Sequence, residues 1–179
     1  MHCYGSDDPE VRTAREFAGI TEYLDAVAKF IIEQKPESLD LLVCGGMKDT
    51  KGVVEADSIA EAMNRRLAGR LPGGCLLTIT KIYEKSTISI VQRCFEWNDD
   101  RFPGFKLHLV IICDKARERK TRWLAKHYSE GASFEVVAFK RRDNWKTQLL
   151  RSNRIAQMLQ LYRIKKNLEG TRQKIEKDR

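Results

Sequence analysis

The chain has 179 residues, 42% of them hydrophobic and 32% charged, with a formal net charge of +8. This length fits a single domain with one main core and argues against two full domains. No apolar run approaches the roughly 20 residues that a membrane span needs, and the start MHCYGSDDPEVR lacks the pattern of a signal peptide. We therefore expect a cytoplasmic protein.

The spacing of the cysteines and the distribution of charge narrow the possible class of protein further. The five cysteines are widely spaced and include no C-x-x-C pair, so we expect reduced thiols and neither a disulfide framework nor a zinc ribbon. No histidine spacing supports a metal site, and no Ser-His-Asp or Cys-His arrangement can be assigned. Residues 146–179 carry ten Lys or Arg against three acids, so most of the positive charge lies in the tail.

The first half of the chain alternates between predicted strands and helices. MHCYG resembles the end of a first strand. Apolar residues from Phe17 to Ile31 recur every three or four positions and predict a helix that stops before Pro36. A strand over 39–44, a helix over 56–67 and a strand over 75–80 follow.

The second half continues the same alternation. Ser86 or Thr87 is expected to cap a helix that carries Ile88 to Phe95, and a strand over 106–113 follows. A helix from Ala116 to Tyr128 leads to a strand over 134–139. A long basic helix is expected from near Lys146 onward.

The strand segments LVIIC and FEVVAF are apolar at consecutive positions, as expected when helices cover both faces of a sheet. Regular alternation of strands and helices then predicts a parallel sheet. Ligands bind at the carboxyl ends of the strands in such sheets, so the residues that follow each strand are the candidates.

The loop GGMKDTKG, residues 45–52, follows one strand and precedes a helix. Its backbone N–H groups and Lys48 could hold an anion, but it matches neither common phosphate-binding motif. A plain turn explains the loop alone equally well. Glu55 lies in the first turn of the next helix, where the helix dipole favours an acid with or without a ligand.

Three further strand ends carry polar side chains. YEKSTIS, residues 83–89, offers an acid and hydroxyls that suit a sugar or a positioned water, although capping alone explains one hydroxyl. CDKAR, residues 113–117, could meet phosphate or carboxylate, or form a solvated helical turn. FKRRDNW, residues 139–145, adds Arg141 and Asp143.

These segments together resemble a family of proteins of unknown function typified by ElyC, SanA and YdcF, over residues 1–145. The family's first strand ends in a glycine turn, like Gly5 here, and its next strand ends in Gly-Gly, like Gly45 and Gly46. A Glu-Ala pair that opens a helix matches Glu55-Ala56. The family's acid, Ser, Thr and Asn correspond to Glu84, Ser86, Ser89 and Gln92, so Thr has become Ser and Asn has become Gln. CDKAR and FKRRD match the last two strand ends.

The resemblance implies a Rossmann-like three-layer α/β fold with a mostly parallel sheet of about five strands in residues 1–145. Residues 146–179 are expected to form a basic helix and tail, partly docked on that domain. The implied cleft binds an anionic, phosphate-bearing or nucleotide-like small molecule, and the cofactor is unknown. Candidate catalytic residues for hydrolysis or group transfer are Glu84 and Ser86. Candidate ligand-binding residues are Gly5, Gly45, Gly46, Lys48, Glu55, Ser89, Asp114, Lys115, Arg117, Arg141 and Asp143.

The basic tail supports a second hypothesis from another class. Clustered Lys and Arg are sufficient for phosphate contacts, so residues 146–179 could bind nucleic acid or a protein partner. The chain carries no recognised motif for reading bases. A solvated terminus explains the same charge run.

Overall fold

The computed structural model describes residues 14–49, 51–105, 107–141, 158–159 and 162–168. The chain divides into two compact units, Met1–Asp143 and Asn144–Arg179. In the second unit, residues 158–159 and 162–168 are helical. The predicted ligand-binding residues Gly5 and Asp143 lie outside the described residues, as do the predicted first strand and the start of the basic helix. None of the described helices is long and apolar enough to cross a membrane.

Helices and strands alternate in the first unit. They are α1 (Ala14–Glu33), β1 (Ser38–Cys44), α2 (Glu55–Leu67), β2 (Leu76–Ile82), α3 (Thr87–Arg101), β3 (Leu109–Asp114), α4 (Glu118–Tyr128) and β4 (Phe134–Phe139). A short 3-10 turn, Lys115–Arg117, precedes α4. The last strand has the predicted bounds, whereas β3 starts later than predicted because its pairing with β4 begins at Leu109.

The strands pair in parallel in two separate sheets. Strand β1 pairs with β2 from Ser38↔Leu76 to Cys44↔Ile82, and β3 pairs with β4 from Leu109↔Phe134 to Asp114↔Phe139. Within the described ranges, each sheet therefore has two strands. The mixed α/β class with parallel pairing is confirmed, while the single sheet of about five strands is not.

Strand β1 contributes to two apolar clusters, one on each of its faces. Leu41 and Val43 pack with the apolar faces of α1 and α2 in the main core. Leu42 and Cys44 pack with β2 and α3 in a second cluster. Because successive side chains of a strand point to opposite faces, the continuous apolar run LLVC serves both clusters.

Helix α1 also contacts the second sheet. Tyr23 and Phe30 make edge-to-face contacts with Phe139 of β4, with ring centroids 6.5 and 5.8 Å apart. Ile112 of β3 belongs to the same core as Leu24 of α1. The two sheets therefore share one core, and their carboxyl ends carry the predicted site residues.

Replacing Leu24 with Ala is expected to destabilise the fold strongly, because this side chain is fully buried in that core. We expect the free energy of unfolding, measured by urea denaturation, to fall by roughly 2–5 kcal/mol. The matched control is Leu76→Ala on β2, where the leucine is 75% exposed. This control should change stability by no more than about 0.5 kcal/mol, and equal losses in both variants would contradict the assigned packing.

Candidate functional site

The Gly45–Gly46 turn is fixed between the end of β2 and the start of α2. The N–H of Gly45 donates to the carbonyl oxygen of Ile82 at 2.9 Å, and its own carbonyl accepts from the N–H of Ala56 at 3.1 Å. A Cβ atom on Gly46 would lie 2.5 Å from the carbonyl oxygen of Tyr83. Glycine is therefore required at position 46 for close approach of two backbones.

The rest of this loop is hydrogen-bonded to itself. The Asp49 carboxylate accepts the N–H groups of Lys51 and Val53, each at 2.9 Å. The N–H of Glu55 donates to the carbonyl oxygen of Met47 at 2.9 Å. Several backbone donors that an anion would use are thus occupied inside the protein. Any ligand at this loop would therefore contact side chains more than backbone donors, and Lys48 is one exposed side chain there.

A polar cluster beside this loop was missed by sequence reasoning. The Asp57 carboxylate of α2 accepts hydrogen bonds from Lys81 Nζ at 2.8 Å and from the Tyr83 hydroxyl at 3.0 Å. The hydrogen bond from Lys81, together with that from Tyr83, lowers the pKa of Asp57 despite its partial desolvation. The same contact to Asp57 raises the pKa of Tyr83. The spacing of Lys81 and Tyr83 could have indicated part of this cluster, because residues two apart lie on the same side of an extended segment.

Ser86 and Ser89 are brought together, as part of a helix cap. Ser86 is the N-cap of α3, and its Oγ accepts the N–H of Ser89 at 3.1 Å. The two hydroxyl oxygens lie 2.8 Å apart, and Ser89 Oγ also donates to the Ser86 carbonyl. This geometry confirms the predicted cap and gives both hydroxyls a structural role. Glu84 is half-buried, and its backbone packs against Gly46.

The polar residues after β3 form their own local network. Asp114 is 3% exposed and caps the 3-10 turn by accepting the Arg117 N–H at 3.2 Å. The Arg117 guanidinium lies 3.8 Å from the same carboxylate. Lys115 pairs with Glu118, which also pairs with Arg122 of α4. Both cations of CDKAR therefore have an acidic partner nearby: Glu118 for Lys115 and Asp114 for Arg117.

The structure divides the predicted site residues by sheet. Those that follow β1 and β2 lie on or next to two loops that touch, because Gly46 contacts the Tyr83–Glu84 backbone. They are Gly45, Gly46, Lys48, Glu55, Glu84, Ser86 and Ser89, of which Gly45, Gly46 and Glu55 are buried. Asp114, Lys115 and Arg117 follow β3, and Arg141 follows β4 and is half-buried. We call the surface of the two touching loops, residues 45–49, 51–55 and 83–89, the glycine-turn surface.

Two thiols lie close together in the second apolar cluster. Cys44 Sγ and Cys94 Sγ are 3.9 Å apart and buried. The hydrogen bond to Cys44, together with burial, holds the pKa of Cys94 well above its usual range. Burial raises the pKa of Cys113 to about 12. Within the described ranges, no group of three or more His, Cys, Asp or Glu side chains is arranged to hold a metal ion.

Comparison with known proteins finds no matching family model, no significantly similar curated protein and no significantly similar solved structure. The resemblance to ElyC, SanA and YdcF therefore rests on the sequence motifs alone. It stays a prediction, and so does any ligand inferred from it.

Replacing Gly46 with Ala is expected to strain the turn, because the added methyl group would meet the backbone of Tyr83 and Glu84. We expect a loss of about 1–3 kcal/mol in the free energy of unfolding, measured with urea. Gly73→Ala is the matched control, since a Cβ atom there meets nothing within 4 Å. That variant should stay within about 1 kcal/mol of the parent protein. If Gly46→Ala leaves the free energy of unfolding unchanged, the two loops are not in contact.

Asp57→Asn is expected to make the stability of the protein less dependent on acid pH. The folded-state pKa of Asp57 is lowered, first by the hydrogen bond from Lys81, so its stabilising effect is fully present above the unfolded-state pKa. The effect is lost as the pH falls through the folded-state pKa. Urea titrations at about pH 6 and about pH 2.5 should show the two proteins converging in stability at the lower pH. A constant difference between them would rule out this linkage.

Proposed function

We propose that the chain is a Rossmann-like member of the ElyC, SanA and YdcF family that binds a phosphate-bearing, nucleotide-like small molecule at the glycine-turn surface. The observation that carries this proposal is the contact between Gly46 and the Tyr83–Glu84 backbone. It joins the loops after two adjacent parallel strands into one surface. Such loop pairs at strand carboxyl ends are the usual ligand sites of open α/β sheets. The predicted cytoplasmic location stays a prediction.

An aromatic ring and exposed cations on this surface support a nucleotide-like ligand. Tyr83 is 55% exposed, and its hydroxyl is held by Asp57 at 3.0 Å, so the ring has a fixed orientation. A fixed, exposed ring suits stacking with a nucleobase. Lys48 and Lys85 are exposed on the same two loops and supply positive charge for phosphate.

Glu84 is the better of the two catalytic candidates. Ser86 uses its hydroxyl to cap α3, so it is less suited to contact a substrate. Glu84 lies between Tyr83 and Ser86 in the sequence and is half-buried. In hydrolysis or group transfer at phosphate, its carboxylate would orient the attacking water or hydroxyl as a general base. In simple binding, the same carboxylate would accept hydrogen bonds from ribose hydroxyls.

Binding can be tested by calorimetry with ATP, GTP and UDP-glucose on the purified 179-residue chain. We expect one of these to bind, and Lys48→Ala and Tyr83→Ala each to weaken binding by about tenfold, which corresponds to about 1.4 kcal/mol. Lys126→Ala is the matched control, because Lys126 is exposed in the last turn of α4. Equal affinities in the three variants would refute a site at the glycine-turn surface. Glu84→Gln then separates turnover from binding. If Glu84 is a general base, this variant should stay folded and form no product.

Exposed apolar and basic side chains in the second unit favour an alternative function. Met158, Leu159 and Tyr162 are 55, 57 and 64% exposed, and Arg163 and Lys166 beside them are exposed as well. Such a surface suits a nucleic acid or a protein partner. Deletion of residues 146–179, which removes this surface, should abolish salt-sensitive binding of short RNA and leave nucleotide affinity unchanged. RNA binding that survives this deletion would refute the alternative.

A further inference from the structure

Two cysteine side chains from different elements meet inside the second apolar cluster. Cys44 is the last residue of β1, and Cys94 lies in the middle of α3. Their Sγ atoms are 3.9 Å apart, although the two residues are 50 positions apart in the sequence. The pair is not part of the glycine-turn surface, and the function proposed above makes no use of it.

The strand and the helix hold these two thiols in place. The end of β1 is fixed by its pairing with β2, where Cys44 lies opposite Ile82. Ile90 and Cys94 are four residues apart on α3, so they lie on the same side of the helix, and both are buried in the cluster. Because each thiol is carried by a regular element that packs in this cluster, the fold itself brings the two sulfur atoms together.

A covalent bond between the two sulfur atoms needs only a short approach. Their separation would fall from 3.9 Å to about 2.05 Å, the length of a disulfide bond. Rotations about the Cα–Cβ bonds of the two cysteines move sulfur atoms over such distances. A disulfide is uncharged and therefore suits the apolar neighbours Leu42, Ile82 and Ile90. A metal ion held by two thiolates would instead bring charge into this cluster, which burial disfavours.

The contact between the two thiols makes one of them more reactive than the other. When protonated, Cys44 donates to the carbonyl oxygen of Leu42 at 3.8 Å. The hydrogen bond with Cys94 lowers the pKa of Cys44, although burial opposes this change. The thiolate is the reactive form of cysteine. Cys44 is therefore the sulfur expected to react first with an oxidant, and Cys94 is the one expected to close the bond.

We propose that Cys44 and Cys94 are a redox modification site, which hydrogen peroxide converts into a reversible disulfide that ties the end of β1 to α3. Hydrogen peroxide is small enough to reach the cluster during a local opening of the core. The Cys44 thiolate attacks one peroxide oxygen, so that an S–O bond forms, the O–O bond breaks and the departing hydroxide takes up a proton to become water. The Cys94 sulfur then attacks the sulfur of the Cys44 sulfenic acid, the S–O bond breaks, and a second water leaves.

This reaction balances without a further reactant. The two sulfur atoms together lose two electrons, which the peroxide gains, and both thiol protons end in the two water molecules. A dithiol reductant restores the thiols by thiol–disulfide exchange. The proposal does not depend on the nucleotide site.

The test uses the 179-residue chain, oxidised with hydrogen peroxide in native buffer. Remaining thiols are then blocked with iodoacetamide under denaturing conditions, and the chain is digested with trypsin. Cys44 falls in the tryptic peptide 30–48, and Cys94 falls in the peptide 94–101. We expect mass spectrometry to find these two peptides linked, with a mass about 2 Da below their sum, and dithiothreitol to separate them. If the folded chain gives no such link, or links these peptides equally often to those of other cysteines, the proposal is overturned.

Thermal unfolding provides an independent arm. The bond closes a loop over residues 44–94 in the unfolded chain, so oxidation should raise Tm by roughly 5–15 °C. Cys94→Ala should remove both the linked peptides and this rise. Cys75→Ser is the matched control and should keep both, because Cys75 is partly exposed and outside the cluster.

The peptide mapping is done on the parent chain, so it decides the matter even if Cys94→Ala does not fold. If oxidation leaves Tm unchanged or lowers it, the native fold does not accommodate the bond, and the proposal is overturned.

Discussion

The packing of α1 is the interaction on which both sheets depend. Its apolar face meets Leu41 and Val43 of β1 in the main core, and its aromatic side chains meet Phe139 of β4. A two-stranded sheet is too small to be stable by itself, so each sheet needs a helix to bury its apolar face. The positions of the strand carboxyl ends, and therefore of every candidate ligand-binding residue in the described first unit, follow from this shared helix.

The glycine-turn surface combines a rigid backbone with exposed side chains. Gly45 bonds to Ile82 of β2 and to Ala56 of α2, and Asp49 and Glu55 bond within the loop, which together fix its shape. Tyr83 is fixed by Asp57 and remains exposed. A surface built in this way is pre-organised, because ligand binding would order few additional groups. The same rigidity argues against a mechanism in which this loop rearranges around a phosphate.

The sequence predicted the elements better than their assembly. The helical spacing of apolar residues in α1 and the consecutive apolar run in β4 are local patterns, so the sequence predicts both elements. The cap at Ser86 was also predicted, since it depends on a single residue and its neighbours. The pairing into two-stranded sheets seen in the described residues was not predicted, because strand pairing is set by distant contacts. The cluster of Asp57, Lys81 and Tyr83 was missed for the same reason, as its members lie 24 and 26 residues apart.

The four cysteines in the described part of the chain differ in their access to solvent. Cys44, Cys94 and Cys113 are buried, whereas Cys75, directly before β2, is partly exposed. Thiol reagents react with accessible thiolate, so among these four a maleimide dye should attach first at Cys75. The native sequence thus already provides a labelling position next to β2. The buried thiols should react more slowly, and only when the core opens. Their labelling rates would therefore measure how often the core around each of them opens.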